Sequence, residues 1–226
     1  MPYLAIDTSS AVAVAIVADD GATLCAASAL EPRRHAELLA IMISDVLRDS
    51  GVARDELVGV VAGTGPAPFT GLRVGLVTAQ TLGFALGVPV HGVSSLDALA
   101  AGAVRALALP TGVEVLATGD ARRREVYWAR YRVSETLGIE LLAGPGVARA
   151  AVLVANGMAA GAVVVGRGAV GYPADLPPAD GAPLDPDPAD LVRLALSRLA
   201  AGEVLPTEPL YPVSYTHLTL PTNREV

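Results

Sequence analysis

Two aspartates, Asp7 and Asp120, each end a short apolar run and are followed by a tight turn. After the first, Thr8, Ser9 and Ser10 add hydroxyl and backbone N–H groups. In a cleft between two lobes, one such carboxylate can hold a magnesium-bound phosphate through water while the other acts as a base. The alternative is that each aspartate only caps its own turn, which Asp does readily.

A Gly/Pro-rich loop at residues 63–73 is the second candidate for chemistry. It joins an apolar run at 57–62 to a long apolar segment at 72–86. Its glycines permit positive φ, its prolines end regular structure, and Thr70 is a natural N-cap before Gly71. Free N–H groups at a helix start can bind an anion. The loop is therefore either a phosphate contact or a stiff turn between a strand and a helix.

The composition excludes several classes of site. All 16 basic residues are arginine, so no P-loop lysine or Schiff-base lysine is present. His35, His91 and His217 are far apart, so we expect no metal site. The single Cys25 is expected to be a small buried apolar residue. A net charge of −7 argues against nucleic-acid binding over the general surface, and the one basic run, at 122–124, is a phosphate contact or a solvated turn.

The chain shows no sign of a membrane or secretory destination. No apolar run reaches the ~18 residues of a membrane span. The first residues lack the basic and apolar regions of a signal peptide. We therefore expect a cytoplasmic protein.

Hydrophobic periodicity predicts the same order of elements twice. The first half reads as strands at 3–7, 11–18, 22–30, 57–62 and 88–92, with helices at 33–50, 72–86 and 95–104. The second half reads as strands at 113–119, 125–133, 137–142 and 162–165, with a weak helix at 147–156 and a last helix at 188–201. We therefore predict an α/β chain of two related lobes, the second shortened.

The helix at 72–86 is apolar nearly all round. A sheet covers only one face of a helix, so the remaining apolar surface needs another cover. The helix at 33–50 or a second subunit could supply that cover.

Four stretches of the chain resemble the bacterial TsaB (YeaZ) family. They are residues 4–9 (LAIDTS), 34–39 (RHAELL), 65–75 (GPAPFTGLRVG) and 120–127 (DARRREVY). The resemblance runs from residue 2 to 211 and implies an actin/hexokinase-like (ASKHA) fold of two RNase-H-like β-β-β-α-β-α lobes. It places one lobe at 1–106 with the interface helices and the shortened one at 107–212. The Thr-rich stretch 213–226 differs from the rest and is interpreted as a foreign or disordered tail.

The resemblance implies a non-catalytic partner subunit of the complex that transfers a threonylcarbamoyl group to the tRNA adenosine 3′ of the anticodon. The implied partners are a catalytic TsaD-type paralogue, a small TsaE-type ATPase and, when the chain is alone, a second copy. Contact with tRNA would be indirect. No cofactor is required, although Mg-ATP or ADP could lie at the partner interface.

The two N-terminal helices are expected to form that interface. The residues are His35, Leu38, Leu39, Met42, Val46, Leu72, Leu76, Thr78, Ala79 and Leu82. The loop departs from the family pattern Gly-Pro-Gly-Ser-Phe-Thr-Gly, because Ala67 and Pro68 replace Gly and Ser. Pro68 removes one N–H donor, which weakens a phosphate role for the loop.

Two enzymatic alternatives remain. The first is a small-molecule kinase or ATPase of actin-like fold that uses Asp7 and Asp120. Its nucleotide or phosphate contacts would be Asp7, Thr8, Ser9, Thr70, Gly71 and Asp120. The second is a metallopeptidase, which the few and scattered histidines disfavour.

Overall fold

The computed structural model describes residues 1–30, 35–135 and 138–212. The first lobe contains β1 (Pro2–Asp7), β2 (Val12–Ala18), β3 (Thr23–Ala29), α1 (His35–Ser50), β4 (Gly59–Gly63), α2 (Phe69–Leu86), β5 (Val90–Val93) and α3 (Ser95–Ala106). The second contains β6 (Glu114–Asp120), β7 (Val126–Ser134), β8 (Gly138–Ala148), α4 (Ala150–Ala155), β9 (Ala162–Val165), α5 (Arg167–Gly171) and α6 (Pro188–Ala200). The tail at 213–226 and the predicted start of α1 at 33–34 lie outside the described residues. The domain boundary at 106/107 stays a prediction.

Both sheets have the same topology. The five-stranded sheet has the order β3-β2-β1-β4-β5, and the four-stranded sheet has the order β8-β7-β6-β9. In each, an antiparallel meander carries a parallel strand beside its first strand, β4 beside β1 and β9 beside β6. The predicted fold class, an α/β chain of two related lobes with a shortened second lobe, is confirmed.

The edge of β9 shows how the second lobe is shortened. No fifth strand follows β9 within the described chain, and irregular backbone lies beside it. The Ala179 N–H donates to the Val164 carbonyl at 2.9 Å, and the Gly166 N–H donates to the Pro183 carbonyl at 3.1 Å. These bonds satisfy edge groups of β9 that would otherwise be unpaired.

The elements stack in five layers. Helices α1 and α2 cover the outer face of the first sheet. Helices α3 and α6 lie between the two sheets and share one apolar core with both. Helices α4 and α5 cover the outer face of the second sheet. Because the central core is continuous, it joins the lobes on one side of the cleft described below.

Helix α2 begins earlier than predicted. Its N-cap is Pro68, which makes no side-chain capping bond, and Thr70 lies in the first turn. The prediction of Thr70 as N-cap was therefore wrong: Pro68, with φ of −57°, already leads into the helix, and the Leu72 N–H donates to the Pro68 carbonyl. The helix ends at Gly87, whose φ of 70° is the left-handed conformation that favours glycine.

Two smaller differences lie in the second lobe. Strand β8 continues to Ala148, so the helix predicted at 147–156 is reduced to α4. Helix α5 was not predicted, because its sequence, RGAVG, is too short and Gly-rich for a helical period. Among the described helices, none is long and apolar enough to cross a membrane.

Candidate functional site

A cleft of about 640 Å³ lies between the two lobes, on the side where β1 and β6 end. That volume is within the ~300–1,000 Å³ usual for ligand pockets. The first lobe contributes the turn after β1, Pro66, Pro68 and the start of α2, while the second contributes the β6–β7 turn and the start of α5. Its apolar lining includes Leu30, Leu96, Leu99, Leu184 and Pro186. The cleft is therefore apolar inside, with polar groups at the ends of the strands.

Asp7 is buried and does not line this cleft. Its Oδ1 accepts hydrogen bonds from the Ser9 N–H at 2.8 Å and the Ser9 hydroxyl at 2.6 Å. Its Oδ2 accepts one from the Ser95 hydroxyl at 2.6 Å. Burial raises the pKa of Asp7, although these hydrogen bonds oppose the shift. This corrects the prediction of Asp7 as a phosphate contact, because its carboxylate is directed into the protein and braces the turn.

Asp120 lies on the opposite side of the cleft and is exposed. Its Oδ1 accepts the Arg122 N–H at 2.8 Å, and its Oδ2 lies 3.7 Å from Arg122 Nε. Arg122, Arg123 and Arg124 all have left-handed φ, of 64°, 50° and 65°. The basic run is thus an exposed turn that Asp120 caps. Across the described chain, no three His, Cys, Asp or Glu side chains are grouped so as to hold a metal ion.

The other predicted contacts have mixed roles. The Thr8 hydroxyl donates to the Gly71 carbonyl at 2.8 Å and accepts the Gly75 N–H at 3.2 Å, so it joins the turn to α2. The Ser9 hydroxyl bonds Asp7. Thr8, Ser9, Thr70 and Gly71 all line the cleft, and their role toward a ligand stays a prediction.

Sequence reasoning missed an ion pair at the cleft, Arg167 with Asp185. The Nε and one terminal nitrogen of Arg167 donate to the two oxygens of Asp185, both at 2.6 Å. The Ser10 hydroxyl donates to Asp185 Oδ1, also at 2.6 Å. Asp185 lies in a Pro- and Asp-rich segment, residues 172–188, whose sequence shows neither a helical nor a strand period. No local pattern relates it to Ser10, which is far away in sequence.

The predicted interface on α1 and α2 needs a larger correction. Six of its ten side chains are buried in the core of the first lobe: Leu39, Met42, Val46, Leu72, Leu76 and Ala79. Buried side chains cannot contact another protein, so these six stabilise the lobe instead. Leu38, Thr78 and Leu82 are half-buried, and the side chain of His35 lies outside the described residues.

Other apolar side chains form an exposed surface on the same two helices. Ile41 on α1 is 57% exposed, and Val77 and Phe84 on α2 are 55% and 91% exposed. We call these three residues the outer face. An apolar groove of about 410 Å³ opens between the helices, lined by Ile43, Leu47, Leu57, Leu82, Ala85 and Leu86 with Arg54.

Comparisons with known proteins identify the family. The structure superposes on YeaZ from Pseudomonas aeruginosa with a TM-score of 0.77 and 32% identity, over 93% of this chain and 99% of that one. The chain belongs to the TsaB (YeaZ) family. It is 38% identical over 135 residues to the Escherichia coli tRNA threonylcarbamoyladenosine biosynthesis protein TsaB, and the match covers 60% of this chain and 57% of that protein.

Two further matches complete the comparison. The family model of TsaD, tRNA N6-adenosine threonylcarbamoyltransferase, matches residues 29–172. An uncharacterized protein of Mycobacterium leprae is 48% identical over 133 residues, which are 57% of this chain and 35% of that protein. This TsaB-family chain thus matches about half or less of the length of these curated relatives.

Proposed function

We propose that this TsaB-family chain is a non-catalytic partner subunit in the biosynthesis of threonylcarbamoyladenosine in tRNA. The relatives named for that pathway support the process. The buried, fully bonded Asp7 supports a non-catalytic role, because a kinase of this fold would need its carboxylate in the cleft.

The observation that carries the proposal is the outer face on α1 and α2. Single exposed apolar residues are ordinary, but here three large ones lie on the two helices that together line an apolar groove. Phe84 is almost fully exposed, and exposed aromatic residues are typical centres of protein interfaces. The same helices bury their opposite side against the first sheet, so the outer face is free to meet another chain.

The proposed partner is the catalytic TsaD-type paralogue, with a second copy of this chain as its substitute when the paralogue is absent. The match of the threonylcarbamoyltransferase model covers both interface helices. A chain of similar fold can present a matching pair of helices, which gives an interface close to two-fold symmetry. On the resemblance alone, the proposal extends to a small TsaE-type ATPase and to Mg-ATP or ADP at the interface.

Charge reversal of the outer face tests the proposal. Val77→Glu and Phe84→Glu should each weaken association with the TsaD-type subunit from the same organism by at least about tenfold, because a carboxylate would be buried without a partner. Analytical ultracentrifugation and co-purification measure the effect. Val152→Glu is the matched control, since Val152 is 45% exposed on α4 of the second lobe.

Clear outcomes decide the proposal. Loss of association in both α2 variants, with normal association of Val152→Glu, supports it. Normal association of Val77→Glu and Phe84→Glu places the interface elsewhere. Calorimetry with Mg-ATP separates the kinase alternative, because ATP turnover by the isolated chain would contradict a non-catalytic role.

A further inference from the structure

The Arg167–Asp185 pair at the cleft has the geometry of a receptor with its ligand. A guanidinium donates through two nitrogens to both oxygens of one carboxylate, which is the strong bidentate arrangement. The carboxylate also accepts the Ser10 hydroxyl, so it contacts one group from each lobe. A ligand bound in the cleft would contact both walls in the same way.

Asp185 reaches this position from a segment that itself lines the cleft. Its neighbours Leu184 and Pro186 are lining residues, as are Ser10 and Arg167. The side chains of Arg167 and Asp185 are 32% and 26% exposed. A dissolved molecule in the cleft could therefore reach the guanidinium once the Asp185 carboxylate moves aside.

We propose that the cleft binds a small molecule with an apolar body and a carboxylate, that Arg167 receives the carboxylate, and that Asp185 occupies Arg167 in the unliganded chain. The site is separate from the outer face of α1 and α2. Failure of the carboxylate site would therefore leave the partner-subunit role unaffected, and the reverse also holds.

A carboxylate fits the site better than a polyphosphate does. Pro66 and Pro68, which line the cleft where the loop approaches α2, have no N–H to donate. Asp120 lines the cleft as an exposed carboxylate beside Arg122, so the positive charge of Arg122 is partly neutralised and adds little attraction for a multiply charged phosphate. Planar bidentate recognition by arginine suits a single carboxylate, and the leucine and proline lining suits an apolar body.

Displacement of Asp185 requires only a side-chain rotation. The Gly166 N–H donates to the Pro183 carbonyl and the Arg167 N–H donates to the Leu184 carbonyl, both at 3.1 Å, so the backbone on the N-terminal side of Asp185 is held. A ligand carboxylate that makes the same two hydrogen bonds to Arg167 replaces the attraction lost with Asp185. A ligand carboxylate can therefore compete for Arg167 while the segment stays in place.

A fluorescent aromatic carboxylate provides the probe. We expect 7-hydroxycoumarin-3-carboxylate to bind Asp185→Asn roughly tenfold more tightly than the wild-type chain, because the competing charge has been removed. Fluorescence anisotropy measures the affinity. The double variant Arg167→Ala with Asp185→Asn should lose the gain, and 7-hydroxycoumarin, which lacks the carboxylate, should show no gain in any variant.

Asp187→Asn is the matched control on the same segment. Asp187 caps α6 through the Ala189 N–H and does not line the cleft, and asparagine keeps the cap. Its affinity should equal that of the wild-type chain, and thermal melts of each variant establish that it is folded. An unchanged affinity of Asp185→Asn, a gain that survives in the double variant, or equal binding of the neutral coumarin would overturn the proposal. Mg-ADP binding that is tighter than the carboxylate and indifferent to Asp185→Asn would overturn the ligand class.

Discussion

The turns after β1 and β6 occupy corresponding places in the two lobes but have opposite environments. Both antiparallel pairs end on an aspartate, Asp7 opposite Ala13 and Asp120 opposite Val126. The parallel pairs end differently: the last is Ile6 with Ala62 in the first lobe and Ala117 with Val165 in the second. Asp7 is therefore one residue beyond its parallel neighbour, and Asp120 is three beyond.

This offset determines whether the carboxylate is buried or exposed. The residue one step beyond the last parallel pair of the second lobe is Thr118, which is buried. Its hydroxyl donates to the Val165 carbonyl at 2.7 Å and accepts the Ala169 N–H at 2.9 Å. Thr118 thus braces the second lobe as Asp7 braces the first, while Asp120 stands on the rim of the cleft. The two aspartates look equivalent in sequence but have different environments, because the β6–β7 hairpin extends farther beyond the last parallel pair of its strand than the β1–β2 hairpin does.

The largest predicted effect on stability comes from replacing the glycine beside each turn with alanine, which adds one methyl group. A Cβ at Gly63 would lie 1.9 Å from Asp7 Oδ2 and 2.8 Å from Ser95 Oγ. We expect Gly63→Ala to lower the free energy of unfolding by about 3 kcal/mol, because the buried carboxylate must move. At Gly119 the nearest atom would be Tyr127 Cβ at 3.7 Å, an ordinary contact. Gly119→Ala should therefore change stability by less than about 0.5 kcal/mol.

Urea unfolding of the two alanine variants measures this difference. Equal effects at both positions would show that the two turns are packed alike, contrary to the structure.

Removing each carboxylate should give a smaller contrast in the same direction. Asp7→Ala leaves the half-buried Ser9 N–H and the buried Ser95 hydroxyl without their acceptor, and we expect a loss of about 2 kcal/mol. Asp120→Ala removes a cap on an exposed turn and should cost about 0.5 kcal/mol or less. Thermal melts of both variants at neutral pH provide the measurement. A loss at Asp120 as large as that at Asp7 would contradict the assignment of Asp120 to the rim.

The topology could be predicted from sequence because each lobe is encoded by local periodicity. Val- and Ala-rich runs separated by turns give the strands, and the 3.6-residue stripe gives α1. The relative offset of β6 and β9 could not be predicted, since it depends on a register between strands far apart in the chain. The assumed equivalence of Asp7 and Asp120 failed for that reason.

The prediction of the interface residues was incorrect for a different reason. Helix α2 is apolar on most sides, so hydrophobicity alone does not tell which side meets the sheet. The spacing of the glycines would have identified the side of α2 that meets the sheet. Gly75 and Gly83 lie on the same stripe as the buried Leu72, Leu76 and Ala79. A Cβ at Gly75 would lie 2.4 Å from the Thr8 hydroxyl oxygen, and one at Gly83 would lie 2.2 Å from a methyl carbon of Val90. Small residues on one stripe mark where the helix backbone approaches the sheet.

The smallest predicted effect is a pH dependence confined to the first turn. Burial raises the pKa of Asp7 above its ordinary value of 3.8, so the folded chain keeps this proton to a higher pH than the unfolded chain does. Between 3.8 and the raised pKa, the unfolded state therefore binds fewer protons, and the free energy of unfolding falls as pH rises. Asp7→Asn cannot titrate. Its melting temperature should thus rise by a few degrees relative to the wild-type chain across that window and stay level above it. A constant difference between Asp7→Asn and wild type would show that the Asp7 carboxylate is solvated in the folded protein.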